Sequence, residues 1–342
     1  MATLTVDMSM APTKVTTLFK KLMVAYDFSP CADMALSYAL DLAANQNSEI
    51  ILVHVESQGN CAIPGGQNIK GSPDVTPDLG KRLELTVDQS RKPGIAMRWQ
   101  LKAGAIAEGL AEAVDELEPD VLFLSAYGNN RLDRKVLGTT AEALLRTLPC
   151  PVVTIGPKTV KKNFDPTQAA KVLCPIDFPE DVHDRLSIIA RFAKALSADV
   201  ALVHVVDVSH EHSRPHNAVD TQFEFDLLVG RFQREGVLAH STLLYGPPER
   251  VITEYAQAVN ANYIMFGLHH DGHSSSYFRK SLVAKTIKDA PCAVFTFAQR
   301  AVQKSCECTF MEFNDQGISP TDIADSQFGD KSPIHSLAVP AN

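Results

Sequence analysis

Three short stretches of the sequence carry residues suited to binding a nucleotide. Asp27 directly follows an apolar run at 22–25, and Ser125-Ala-Tyr-Gly128 follows another at 121–124. Nine residues later comes Gly138-Thr139-Thr140, at the start of a helical pattern. A carboxylate can accept hydrogen bonds from a ribose hydroxyl or a base amine. Glycines and a helix N-terminus let backbone N–H groups approach a phosphate, so the three stretches together predict a nucleotide site.

Each stretch also has a simpler explanation. An aspartate just before a helix is often only a helix cap, and loop glycines are usually turn residues. The sequence has no Walker A motif and no GxGxxG motif, which argues against a P-loop NTPase and against a dinucleotide dehydrogenase. It also lacks a Gly-x-Ser-x-Gly elbow, so no hydrolytic constellation is indicated.

The elements that would position these residues occur twice in the chain. The segment KKLMVAYDFSPC at 20–31 resembles KVLCPIDFPED at 171–181, and IILVHVE at 50–56 resembles VALVHVVD at 200–207. DVLFLSAYG at 120–128 corresponds to NYIMFGLHH at 262–270, and LPCPVVTI at 148–155 corresponds to APCAVFTF at 290–297. Four matches in the same order, about 140 to 150 residues apart, predict a tandem repeat of one domain.

Within each copy, short apolar runs alternate with helical patterns. In copy one, Ser29 and Pro30 predict the start of the first helix. Five buried strands with intervening helices indicate an α/β fold, a flavodoxin-like or Rossmann-like doubly wound domain with a five-stranded parallel sheet in the order 3-2-1-4-5. In such a sheet, ligands bind beyond the carboxyl ends of the strands, where the three stretches fall.

Composition narrows the function classes. The net charge of −8 argues against a nucleic-acid partner, and the absence of a long apolar run or a signal-peptide pattern argues against a membrane. We therefore expect a soluble, cytoplasmic protein. The seven cysteines lack a disulfide or zinc pattern, although Cys306-Glu307-Cys308 leaves a metal or redox element open.

The chain resembles a tandem universal stress protein, and the match rests on V-A-Y-D-F-S-P at 24–30, H-V at 54–55, Ser125 to Thr139, and P-C-P-V at 149–152. We expect an extension at 1–17, domains at 18–157 and 168–299, and a polar tail at 300–342. ATP-binding members of the family carry Gly-x2-Gly-x9-Gly-Ser/Thr, from which copy one departs only at Ser125. By resemblance, the adenine and ribose would contact Ala25, Tyr26, Asp27 and Val55, and the phosphates would contact Ser125, Tyr127, Gly128, Gly138, Thr139 and Thr140.

Copy two departs further from this pattern. Its loop reads Gly267-x2-His270-x9-Lys280-Ser281, so two glycines are replaced by side chains where the backbone should approach phosphates. We predict a degenerate second site, made of Asp177, Val205, Gly267, His270, Lys280 and Ser281.

Histidines leave a second possibility open in copy two. The loop histidines could bind zinc or another transition metal, although neither Cys nor regular ligand spacing supports this. His54 and His204 lie at strand ends within apolar runs, and we interpret both as hydrogen-bonded core residues. The loop histidines are His210, His212, His216, His269, His270 and His273.

The resemblance implies a regulatory or protective stress-response protein that binds ATP, with or without Mg²⁺, and that has at most slow ATP hydrolysis or autophosphorylation. The alternative is a scaffold with both sites empty, which acts through protein partners. In either case, the apolar final strands at 152–155 and 293–297 need covering, and we expect the two domains to pair through them.

Overall fold

The computed structural model describes residues 18–57, 79–127, 137–161, 169–176, 182–207, 218–268 and 275–298. The predicted extension at 1–17, the predicted tail at 300–342 and Cys306-Glu307-Cys308 lie outside these residues. The first half contains β1 (Lys21–Ala25), α1 (Pro30–Gln46), β2 (Glu49–Glu56), α2 (Leu79–Ser90), β3 (Met97–Ala103), α3 (Ile106–Leu117), β4 (Val121–Ser125), α4 (Thr139–Thr147) and β5 (Val152–Ile155).

The second half repeats this order of elements. It contains β6 (Ala170–Pro175), α5 (Val182–Ala195), β7 (Ala198–Val206), α6 (Ala218–Arg234), β8 (Ala239–Tyr245), α7 (Pro248–Ala258), β9 (Tyr263–Leu268), α8 (Ser275–Asp289) and β10 (Ala293–Ala298). The alternation of strands and helices predicted for both copies is confirmed.

The ten strands of the described residues form one continuous sheet in the order β3-β2-β1-β4-β5-β10-β9-β6-β7-β8. Within each half the pairs are parallel, so the predicted 3-2-1-4-5 order is confirmed in both. The halves meet where β10 pairs antiparallel with β5, with Phe295 opposite Val153. The Thr296 hydroxyl donates to the Val152 carbonyl at 3.3 Å across this seam.

The helices cover both faces of the sheet. The core beneath α1, α2, α5 and α6 forms one face, and the core beneath α3, α4, α7 and α8 forms the other. On the first face, aromatic rings join the halves: Phe192 of α5 lies 5.8 Å from Phe19 of the first half, and 5.0 Å from Tyr263 and 4.4 Å from Phe295 within its own half, measured between ring centroids. Tyr38 of α1 lies 5.3 Å from Tyr263. The two halves therefore share a hydrophobic core as well as a sheet.

The start of α1 follows the sequence signals. The Ser29 side chain accepts a hydrogen bond from the Ala32 N–H at 3.1 Å, and Pro30 is the first helical residue. The helix ends at Asn47, whose φ of 52° places it in the left-handed region that asparagine tolerates. None of the described helices combines the length and apolar character needed to cross a bilayer.

Candidate functional site

Strand register brings the predicted nucleotide-binding residues of the first half to one edge of the sheet. Ala25 of β1 is opposite Val53 of β2, so Val55 extends to the level of Asp27. Val24 of β1 is opposite Phe123 of β4, so Ser125 extends to the level of residue 26. These strands are parallel, and their carboxyl ends therefore form the common edge at which doubly wound sheets bind ligands.

Asp27 is held in a tight turn between β1 and α1. Its Oδ1 accepts the Ser29 N–H at 3.0 Å, and Phe28 between them has a φ of 60°, a conformation that non-glycine residues adopt infrequently. The cap of α1 is Ser29 and not Asp27. The simpler explanation of Asp27 as a helix cap is therefore wrong, and the turn instead fixes the carboxylate just beyond β1.

Tyr26 faces away from Ala25 and Val55. Its ring packs in the core beneath α1 and α2, whereas Ala25 and Val55 pack on the opposite face. Its hydroxyl donates to the Asp33 carboxylate, its N–H donates to the Val53 carbonyl at 2.9 Å, and its carbonyl bonds to His54 Nδ1 at 2.7 Å. Burial and the Asp33 hydrogen bond raise the pKa of Tyr26. Every polar group of Tyr26 thus has a partner within the protein, which gives it a structural role.

Val55 is packed more closely than the sequence indicated. Gly109 lies in α3, and a Cβ on it would come within 2.9 Å of Val55 Cγ1. Glycine in a helix interior is unfavourable by about 1 kcal/mol relative to alanine, so its presence is explained by this close approach. Gly109 was missed as a site-shaping residue, although an isolated glycine within a helical pattern is the signal that could have revealed it.

The N-terminus of α4 lies against the end of β4. Gly138 precedes the helix, its N–H donates to the Ala126 carbonyl at 3.0 Å, and a Cβ on it would lie 2.9 Å from that oxygen. The N-cap residue is Gly138, which has no side chain with which to cap the helix, and neither Thr139 nor Thr140 is at the cap position. The first N–H groups of a helix have no partner within the helix, and here they lie beside the carboxyl end of β4. Gly128 lies outside the described residues.

Tyr127 points toward the second half of the chain. It packs on the core beneath α3, α4, α7 and α8, and its hydroxyl is buried without a hydrogen-bond partner. Burial raises the pKa of Tyr127, and the Asp289 carboxylate of α8 raises it further. The predicted phosphate contact from Tyr127 is thus an open proposal, whereas its proximity to α8 is observed.

The corresponding region of the second half is built differently. Lys280 and Ser281 are in the positions of Gly138 and Thr139, but α8 begins at Ser275, more than one turn earlier. The N–H groups of residues 280 and 281 therefore donate within the helix and cannot act as terminal anion donors. Gly267 and Val205 do lie at strand ends, on β9 and β7. Asp177 and His270 lie outside the described residues.

The two strand-end histidines are equivalent. His54 Nδ1 lies 2.7 Å from the Tyr26 carbonyl, and His204 Nδ1 lies 2.9 Å from the Ile176 carbonyl. The prediction of two hydrogen-bonded core histidines is confirmed for the buried His204, and His54 makes the same bond while half-buried. Across the described ranges, no cluster of three or more His, Cys, Asp or Glu side chains could hold a metal. The six loop histidines predicted as possible ligands lie outside those ranges.

The fold and the strand-edge site define a class: two doubly wound α/β domains in tandem, with a candidate ligand site at the edge of the first. The sequence model of the Universal stress protein family matches residues 18–156 and again residues 169–297. The chain therefore belongs to the universal stress protein family.

Individual relatives agree with this assignment. Universal stress protein A homolog 1 of Coxiella burnetii is 23% identical over 150 residues, which cover 41% of this chain and 98% of the relative. The crystal structure of a universal stress protein from Archaeoglobus fulgidus has the same fold, with a TM-score of 0.59 and 17% identity over 82% of this chain and 98% of that one. Another structure of a universal stress protein from this organism is a complex with dAMP, with a TM-score of 0.30 and 18% identity over 38% of this chain and 96% of that one.

Proposed function

We propose that the first half of the chain binds ATP or another adenine nucleotide, and that the protein has a regulatory or protective role in the stress response. The observation that carries this proposal is the uncapped N-terminus of α4, which begins at Gly138 beside the end of β4. It lies at the same sheet edge as Asp27, so an anion-binding element and a hydrogen-bond acceptor for a nucleoside are brought together.

The expected contacts follow from this arrangement. The phosphates would bind the first N–H groups of α4, which have no partner within the helix, with the hydroxyls of Ser125, Thr139 and Thr140 as further donors, and Gly128 is proposed to complete this loop. The Asp27 carboxylate would accept a ribose hydroxyl, because a carboxylate beside phosphates would repel them. Ala25 and Val55 supply the apolar surface on the same face of the sheet.

Mg²⁺ fits this site only as a companion of the nucleotide. The described phosphate edge offers hydroxyls and N–H groups, and the one carboxylate proposed for the site, Asp27, is assigned to the nucleoside. Magnesium is commonly held by one or two carboxylates together with substrate phosphates. We therefore propose that the metal, where present, is bound mainly by the phosphates, and that the protein binds nucleotide without rapid turnover.

For the second half we propose the absence of a nucleotide site. The early start of α8 leaves no helix terminus at Lys280 and Ser281. The stoichiometry expected for the whole chain is therefore about one nucleotide per molecule.

Calorimetric titration of ATP into the full chain tests the proposal. We expect binding at about one site per chain, and at least tenfold weaker binding by Asp27→Ala, which corresponds to about 1.4 kcal/mol. Asp88→Ala, which removes an exposed carboxylate of α2 that pairs with Arg91, should bind like the wild type. A wild-type chain that binds no adenine nucleotide would refute the proposal.

A second candidate function is a scaffold that acts through protein partners. It is favoured by partly exposed apolar side chains on and beside the two outer strands, namely Trp99 and Leu101 on β3, and Leu238 and Tyr245 at β8. In this case affinity capture with the full chain would recover a partner that Trp99→Ser with Leu101→Ser abolishes, while ATP neither binds nor competes. ATP binding, together with capture that is unaffected by this double substitution, would reject this candidate.

A further inference from the structure

A chain of backbone hydrogen bonds leads from the start of α4 to the seam between the halves. The Gly138 N–H donates to the Ala126 carbonyl at 3.0 Å, and the Ala126 N–H donates to the Ile155 carbonyl at 2.8 Å. Gly156 is the next residue after β5. The candidate phosphate edge is therefore connected through two backbone bonds to the point where the chain leaves β5.

Gly156 is in very close contact with the second half. A Cβ on Gly156 would lie 1.9 Å from the Ile287 carbonyl oxygen of α8, so any side chain there would force α8 to move. The Gly156 N–H donates to the Thr159 hydroxyl at 3.1 Å, which in turn donates to the Cys292 carbonyl at 3.3 Å. The segment after β5 is thus bound directly to the end of α8 and to the turn that follows it.

The same seam contains buried hydroxyls without hydrogen-bond partners. Tyr127 directly follows Ala126 and its hydroxyl is buried; burial raises the pKa of Tyr127, and the charge of Asp289 on α8 raises it further. The hydroxyls of Thr154 on β5 and Thr286 on α8 are also buried and unpartnered. Unpaired buried polar groups are rare in native structures and are found where strain or function requires them. Among the described residues, the buried hydroxyl of Tyr263 on the opposite face of the sheet is unpartnered as well.

The contact is not symmetric between the halves. In the order of the repeat, Thr147 of α4 is in the position of Asp289 of α8, since both helices end there. The Thr147 hydroxyl donates to the Ala143 carbonyl of its own helix at 3.0 Å. The Asp289 carboxylate of α8 instead accepts a hydrogen bond from Lys158 of the first half, so this contact runs from the second half to the first.

From this we propose that α8 of the second half positions the phosphate edge of the first half, so that nucleotide binding at Gly138 and the packing of α8 against Gly156 and Tyr127 are energetically coupled. Tyr127, Gly156 and Asp289 are positioning residues in this scheme. The coupling rests on the proposed nucleotide function. The coupling gives the second half a role in nucleotide binding, although the second half has no helix that begins at the position of Gly138. Such coupling is reciprocal. If bound nucleotide stabilises the packing of α8, a substitution that weakens this packing must lower nucleotide affinity.

Hydrogen exchange of the full chain with and without saturating ATP tests one direction. We expect ATP to slow exchange at least threefold in residues 282–289 and 156–161, while α6 is unchanged. At an ATP concentration near the wild-type Kd, the Gly138→Lys variant, which places a side chain against the Ala126 carbonyl, should show a much smaller change in these segments, because it binds ATP at least tenfold more weakly.

Nucleotide affinity of seam variants tests the other direction. Gly156→Ala should weaken ATP binding at least threefold, because the added Cβ displaces α8. Should this variant fail to fold, Asp289→Asn provides the measurement, with ATP binding about threefold weaker because the ion pair between α8 and Lys158 of the first half is broken. Glu254→Gln removes an exposed carboxylate of α7 and should bind ATP like the wild type.

The outcomes separate the two proposals. A wild-type chain that binds no adenine nucleotide overturns the proposed function and the coupling with it. ATP binding with unchanged exchange in α8 overturns the coupling alone, whatever the affinities of the variants. ATP binding with slowed exchange in α8 and altered affinity in a seam variant supports both.

Discussion

The helices α4 and α8 occupy the same place in the two halves, and they end at matching residues but begin at different ones. α4 begins after Gly138, with no side-chain cap, beside the end of β4. α8 begins at Ser275, so the residues matching Gly138 and Thr139 are enclosed in helix. The start of the helix therefore decides whether terminal N–H groups, the kind that can bind an anion, lie at the position of Gly138 or whether that position is enclosed in helix.

This difference arises within a shared core, and the largest effect we expect comes from breaking that core. Phe192 is fully buried and contacts Phe19, Tyr263 and Phe295. Phe192→Ala should lower the free energy of unfolding by about 3–5 kcal/mol, because it opens a cavity among three rings. Since Phe19 belongs to the first half, we expect both halves to be destabilised together.

Urea unfolding measures this effect with two probes. Fluorescence of Trp99, the only tryptophan, reports on the first half, and far-ultraviolet circular dichroism reports on both. Coincident transitions indicate one cooperative unit, and separate transitions would show that the halves are independently stable. Phe223→Ala removes a ring that is 62% exposed and should change stability by less than about 0.5 kcal/mol.

Exchanging residues between the two helices tests the comparison directly. Gly138→Lys introduces a Cβ 2.9 Å from the Ala126 carbonyl oxygen and should weaken ATP binding at least tenfold, or about 1.4 kcal/mol. Calorimetric titration measures the change.

The reverse exchange is the control. Lys280→Gly places glycine inside α8 and should cost about 1 kcal/mol of stability without creating a second nucleotide site. The appearance of a second site would show that residue identity, and not the start of the helix, distinguishes the halves.

Much of this comparison could be predicted from the sequence. The repeated apolar runs, each separated from the next by a helical pattern, predicted the strand order in both halves, although the outer strands β3 and β8 are partly exposed. The start of α8 was not predicted, because the alignment with copy one places Lys280 and Ser281 at the start of the helix. The serines at 274–276 are nevertheless candidate helix-start residues.

Two features of the candidate site differ in whether the sequence could have predicted them. The opposite orientation of Ala25 and Tyr26 follows from the twofold alternation of a strand and could have been found. The contact of Gly156 with Ile287 could not, because it depends on how two distant segments meet at the seam.

The equivalent histidines, His54 and His204, allow a smaller effect to be measured separately in each half of the chain. His54→Ala removes the hydrogen bond to the Tyr26 carbonyl, which supports the turn holding Asp27, and should weaken ATP binding about threefold to tenfold, since such a bond contributes about 1 kcal/mol. His204→Ala removes the equivalent bond to Ile176 and should lower stability without altering ATP binding. Equal loss of ATP binding in both variants would contradict a site confined to the first half.

The smallest effect concerns an ion pair that α8 makes with α7 and that has no counterpart at the matching positions of α4 and α3. Lys285 of α8 donates to Glu249 of α7 at 2.9 Å, whereas Ala143 and Ala107 are at the matching positions of the first half. The hydrogen bond from Lys285 lowers the pKa of Glu249, so its stabilising contribution is present above the ordinary glutamate pKa and is lost as pH falls through the folded value. Because both side chains are more than a third exposed, solvent screening limits this contribution to about 0.5 kcal/mol.

Glu249→Gln should therefore lower stability slightly at pH 7 and have no effect near pH 3, as measured by urea unfolding at both pH values. An equal loss at both pH values would mean that Glu249 supports α8 through packing, and the charge would then play no part in distinguishing α8 from α4.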